Sequence, residues 1–192
     1  PIEIIMVGDV TVEAAIDAVS STFGALPERA PAVEPSQAAL TLNFPAPTPT
    51  PVQLTHKGAP EQALGYVAWP TVDSIEDRKE ARTVSLLARV LQLRVTDELR
   101  EKQGVAYSPG ASTSSSDVYP GYGYAFVQAE TPPEALPGFF QSVDAVAAGL
   151  RDAPVEEDEL NRARLSTVES IRRAQNTNAY WLSQLEEVQT DP

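Results

Sequence analysis

The chain has 192 residues, 42% of them apolar and 21% charged, with no cysteine and one histidine. Its 27 acidic side chains against 14 basic ones give a net charge of −13, which repels polyanions and sets nucleic acid aside as a partner. No apolar run approaches the ~20 residues needed to span a bilayer, there is no thiol for a metal site or a nucleophile, and a lone histidine builds neither a zinc site nor a histidine relay.

The chain opens abruptly. Ile2-Glu3-Ile4-Ile5-Met6-Val7 has the apolar, β-branched character of a central strand, and Gly8-Asp9 breaks it. Thr11 is placed to cap a helix whose apolar positions, Val12, Ala15, Ile16, Val19 and Phe23, recur every three or four residues. Gly24 and Pro27 close it. A strand standing first, with no leader pattern before it, reads as a fragment of a longer polypeptide. Residues 1–30 then form a strand-helix remainder of a preceding domain. Residues 31–51 form a proline-rich connector, with Pro45, Pro47, Pro49 and Pro51 on alternate positions.

The third region, 52–192, reads as an α+β domain truncated at its C-terminus. Leu64–Trp69 is a short strand ended by Pro70. Residues 75–103 are a long helix with Val84, Leu87, Ala88, Leu91, Val95 and Leu99 on one face, and Gly104 is placed for a left-handed cap. Residues 106–113 and 122–130 are strand candidates joined by a polar loop, the second alternating Tyr122, Tyr124, Phe126 against Gly123, Ala125, Val127. Thr131-Pro132-Pro133-Glu134 starts a helix whose stripe runs from Leu136 through Phe139, Val143 and Val146 to Leu150. A further helix opens after Pro154 with four acids, favoured by the dipole at that end, and runs through Leu160, Val168 and Ile171. The order gives helices packed on a largely antiparallel sheet.

No phosphate loop, dinucleotide fingerprint or nucleophile elbow is present. Glu156 to Glu159 lie on an exposed helix start and earn no catalytic role, and His56 receives none. The segment that carries chemistry is Leu99-Arg100-Glu101-Lys102-Gln103-Gly104-Val105-Ala106-Tyr107. It puts a guanidinium on a last helical turn, a glycine stop, and a phenol at the start of the next strand. A guanidinium donates to peptide carbonyls and a phenol donates to an oxyanion, whereas neither activates water or holds zinc. The bland alternative pairs Arg100 with Glu98 or Glu101 and packs Tyr107 as an ordinary strand residue.

Leu-Arg-Glu-Lys-x-Gly-x-x-Tyr at the end of a long helix resembles the signature of the C-terminal, zinc-free domain of insulinase/pitrilysin-family zinc metallopeptidases. Two further stretches are similar to that family: Val7-Gly8-Asp9 with Phe23-Gly24-Ala25-Leu26-Pro27, and, in its longer bacterial members, Pro132-Pro133-Glu134 with Asn178-Ala179-Tyr180-Trp181-Leu182. The resemblance implies a mitochondrial-processing-peptidase-like half, with Arg100 and Tyr107 contacting the substrate backbone and stabilising the tetrahedral intermediate. It implies a peptide substrate, no metal in this chain, and zinc held by an inverted His-x-x-Glu-His motif in a partner half, fused or separate. It also implies no activity for the fragment alone and, through the bacterial members, a periplasmic location. The rival expectation is a noncatalytic scaffold subunit of the same fold, without peptide turnover.

Overall fold

The computed structural model describes residues 2–28, 30–31, 33–48, 50–104, 106 and 108–186. The chain divides into two compact units, one of residues 35–164 and the other of residues 1–34 with 165–192.

In the larger unit, strands β1 (Ala63–Thr71), β2 (Gly110–Ser115) and β3 (Gly123–Thr131) form an antiparallel sheet in the order β1-β3-β2. Register follows from side-chain alternation, since a slip of one residue would turn every apolar residue to the wrong face. Gly65 pairs with Ala129 and Val67 with Val127, which in turn pairs with Ala111, so one face of the sheet is small and apolar. Helices α2 (Arg78–Val95) and α3 (Leu136–Asp152) cover that face. Leu91, Val95, Leu99, Val127, Phe139 and Val143 form the buried centre, with Trp69 packed against it. The α+β architecture expected from the order of elements is the one observed.

Asp73 fastens the sheet to the start of α2. Its side chain, buried in the loop after β1, accepts from the backbone N–H of Ile75 and Glu76 and from that of Gly121 in the β2–β3 turn. Those bonds, the Glu76 and Gly121 ones foremost, hold its carboxyl below the ordinary value despite desolvation. Asp77 then caps α2 by accepting from Glu80 N–H at 2.8 Å.

Helix α4 (Glu157–Ala174) begins in this unit. Its Glu159 carboxylate takes two parallel bonds of 2.8 Å from the Arg94 guanidinium of α2. The pair is mostly buried, and each partner favours the other's charged form: the Glu159 pKa is lowered and the Arg94 pKa raised, chiefly by the shared hydrogen bonds.

In the smaller unit, α1 (Val12–Ser21) forms where expected, capped by Thr11 Oγ1 accepting from Ala14 N–H. A short 3₁₀ turn, Phe23–Ala25, follows, and α5 (Asn178–Leu185) is a helix that the sequence pattern did not declare. Residues 2–7, expected as a strand, are not one. A strand needs a ladder partner, and no other strand occurs among the described residues of this unit. Of the stripe expected for α1, Val12, Ile16 and, in the turn after the helix, Phe23 are exposed, while Ala15 and Val19 are half-buried.

Candidate functional site

The expected helix over 75–103 is α-helical only to Val95. Thr96–Lys102 continues it as a π-helix, widened by one residue per turn, in which Gln103 N–H donates to Glu98 O at 3.2 Å. Such segments are uncommon and are frequent at functional sites. Here the segment separates Leu99, wholly buried in the core, from Arg100, whose side chain is more than half exposed. Gly104 ends it with φ of +63°, a left-handed residue with open space around its Cα. Ala106 N–H then returns to Leu99 O at 3.3 Å.

Gln103 holds this turn against α3. Its amide nitrogen donates to Glu98 Oε1 and to the hydroxyl of buried Ser142, both at 2.8 Å. The flanking charges are satisfied locally: Lys102 lies 2.8 Å from Asp97 and 3.3 Å from Glu98, and these two carboxylates raise its pKa, Asp97 the more. Arg100 Nε is 3.4 Å from Glu101 Oε1, both side chains well exposed. Exposed pairs of this kind are worth about 0–1 kcal/mol.

Arg100 lines an open cavity of about 440 Å³ with Gly104 and Ala106 from its own corner. Glu130, Thr131 and Pro132 from the end of β3, and Glu61 and Gln62 from the segment entering β1, complete it. The sequence singled out Arg100 but neither glutamate. The signal that would have found Glu130 is the register itself, which pairs it with Leu64 and so brings the end of β3 beside the residues that lead into β1. His56, given no role from sequence, organises that entry. Its Nδ1 accepts from Gly58 N–H and its Nε2 faces Gln62 O, both at 2.9 Å.

Tyr107, the second expected substrate contact, lies outside the described residues. Among those described, no three His, Asp or Glu side chains converge as ligands for a metal ion. The described residues therefore offer no zinc site. What the cavity offers is hydrogen-bond donation from a guanidinium beside two exposed carboxylates, a surface suited to holding a polar backbone.

Comparison with known proteins bears on this arrangement. The family model described as the peptidase M16 inactive domain matches residues 2–166. Among solved structures, the peptidase M16 inactive domain from Pseudomonas fluorescens is 22% identical with a TM-score of 0.56, covering 65% of this chain and 29% of that one. The periplasmic protease PqqL of Escherichia coli is 16% identical with a TM-score of 0.65, covering 96% and 20%. A putative M16-like peptidase from Alicyclobacillus acidocaldarius is 16% identical with a TM-score of 0.50, covering 68% and 32%. At these identities the structures show a shared fold, and this chain spans less than a third of the length of each. No curated protein matches the sequence.

Proposed function

The chain belongs to the family of peptidase M16 inactive domains, and from that premise we propose that it is the peptide-binding, noncatalytic part of a zinc-dependent metalloendopeptidase. The zinc and the water-activating glutamate belong to a partner half, and this chain closes over the substrate opposite them. Arg100 donates to a carbonyl of the bound peptide, and Tyr107 donates to the oxygen that becomes negative as the scissile carbonyl turns tetrahedral. Residues 52–192 form the binding domain, 31–51 the connector and 1–30 the remainder of the domain before it. The periplasm is the compartment we assign.

The observation that carries this reading is the position of Arg100. A π-helical turn, braced by Gln103, presents the guanidinium to a cavity that it lines, and its ion pair with Glu101 is an exposed one. A guanidinium that served only to cap its helix would not need that departure from α-helical register.

The test is kinetic, on the intact peptidase. Arg100→Ala and Tyr107→Phe each lower kcat/KM, by on the order of 100-fold where an oxyanion donor is lost, with zinc content unchanged. Kinetics unaffected by either change refute the roles given to these residues. Intact protein that neither holds zinc nor cleaves any peptide refutes the peptidase reading itself.

A further inference from the structure

The face of the sheet opposite α2 and α3 has no role in the reading above. Side-chain alternation places Leu64, Tyr66, Ala68 and Pro70 of β1 on it, with Tyr124, Phe126, Gln128 and Glu130 of β3. Its aromatic rings form a continuous row. Tyr66 stacks on Phe126 at 5.3 Å between centroids, Phe126 meets Tyr124 at 5.9 Å, and Tyr124 meets Tyr122 at 6.0 Å. Tyr66 is nevertheless 44% exposed and Leu64 59% exposed. Burial, and after it the neighbouring phenols Tyr124 and Tyr122, hold the Tyr66 hydroxyl protonated beyond the usual phenol range. The ring is thus a neutral platform at any working pH.

Three observations decide what this platform takes. The chain itself supplies one occupant: Phe44, from the proline-rich segment, sits against Tyr124 at 6.1 Å with its ring tilted by 39°. The face therefore already accepts an aromatic side chain delivered by a backbone that is not part of the sheet. Glu130, the one charged side chain that the three strands place on this face, disfavours an acidic neighbour. Glu130 also lines the Arg100 cavity, so the platform and the cavity share an edge.

We infer that the aromatic face is a specificity subsite for the peptide held at Arg100, taking an aromatic side chain from an extended, non-acidic segment onto Tyr66 and Phe126. This rests on the peptide-binding reading of Arg100. Spacing makes it specific. Counted along β3 at about 3.4 Å per residue, Gln128, which pairs with Tyr66, is about 7 Å from Glu130, and Phe126 is about 14 Å away. An extended peptide covers those distances in two to four residues, so the preferred aromatic residue stands two to four positions from the one seated beside Glu130, at the edge of the Arg100 cavity.

The test measures binding, not cleavage, by fluorescence anisotropy of labelled octapeptides on the intact protein. One uncharged, serine-rich peptide carries a single Phe three positions from its centre. A second has Ser in that place, and a third flanks the Phe with Glu. An aromatic contact of this kind is worth about three- to tenfold in affinity, so the Phe peptide binds that much more tightly than the Ser peptide, and the Glu-flanked peptide more weakly than the Phe peptide. Tyr66→Ser, at an exposed position, abolishes the preference for Phe, and Tyr66→Phe retains it. A preference that survives Tyr66→Ser, or Phe and Ser peptides that bind alike, overturns the inference, as does absence of binding by the Phe peptide at millimolar concentration. Arg100→Ala weakens the Phe and Ser peptides in equal proportion. If Arg100→Ala changes neither while Tyr66→Ser still abolishes the preference, the role of Arg100 fails and the subsite stands.

Discussion

Gly65 sits on the covered face of β1, directly beneath Phe139 of α3. A Cβ built there lies 2.5 Å from Phe139 Cδ1, 2.6 Å from Cε1 and 3.0 Å from Cγ. Carbon atoms in good contact are about 3.5–4.0 Å apart, so Gly65→Ala requires the ring to retreat by roughly 1 Å. Phe139 has no solvent to retreat into: it is wholly buried among Leu91, Val95, Val127 and Val143 and meets Phe140 edge-on at 5.2 Å. Overpacking of this kind costs about 1–3 kcal/mol, and the stiffer strand backbone of alanine offsets about 0.5–1 kcal/mol of it. The expected net loss is about 1–2 kcal/mol. With a urea m-value of about 2 kcal/mol/M, that lowers the unfolding midpoint by about 0.5–1 M. The assay is urea unfolding followed by Trp69 fluorescence in a Trp181→Phe background, so that the signal comes from the larger unit alone. Phe139→Leu removes the clashing ring edge, and the double variant is more stable than the sum of the two single losses predicts. An unchanged midpoint for Gly65→Ala, or strict additivity in the double variant, refutes the packing argument.

Three other outcomes follow from the geometry. Glu159→Gln removes one ionic partner of a mostly buried, two-bond pair and destabilises the protein by roughly 1–3 kcal/mol in denaturant titration, more at low than at high salt. Glu159 and Asp73 both have lowered folded-state pKa values, so their stabilising contributions are complete above the ordinary carboxylate range and disappear as pH falls through the depressed values. Midpoints measured from pH 7 to pH 2 therefore fall below about pH 4, and Glu159→Gln and Asp73→Asn each flatten that fall. Gln103→Ala leaves the buried Ser142 hydroxyl without its amide donor; it costs about 1–2 kcal/mol and weakens peptide binding through the displaced Arg100 turn, whereas Lys102→Ala at the neighbouring exposed position leaves both nearly unchanged.

Strands β1 and β3 were legible in their alternation, but Pro70, expected to end β1, lies inside it opposite Tyr124, and the strand runs on to Thr71. The strand expected at 106–113 begins instead at Gly110. Two things set its start: pairing with Gln128 of β3, and Gln92 of α2, whose amide donates to Pro109 O at 2.9 Å while its carbonyl accepts from Ala111 N–H. Neither is local. Residues 2–7 had the composition of a strand without the neighbour that makes one. The long helix was legible in length, but apolar spacing does not distinguish its π-helical end from an α-helix, and that end is what aims Arg100. The guanidinium itself was found from the Arg-Glu-Lys-x-Gly pattern. Glu61 and Glu130 were not, because their meeting at one cavity depends on the register between β1 and β3. The aromatic row escaped for a similar reason: alternation showed which face of β3 carries Tyr124 and Phe126, but only pairing brings Tyr66 and Phe44 to them.

The most direct measurement of the central claim is the NMR signal of the Arg100 guanidinium Nε–H during titration of the intact protein with an extended peptide that is not cleaved. Engagement of a peptide carbonyl moves that signal saturably, together with backbone amides at 61–62, 104 and 130–131 that surround the cavity. A peptide that binds while the Arg100 signal and those amides stay fixed contradicts the account.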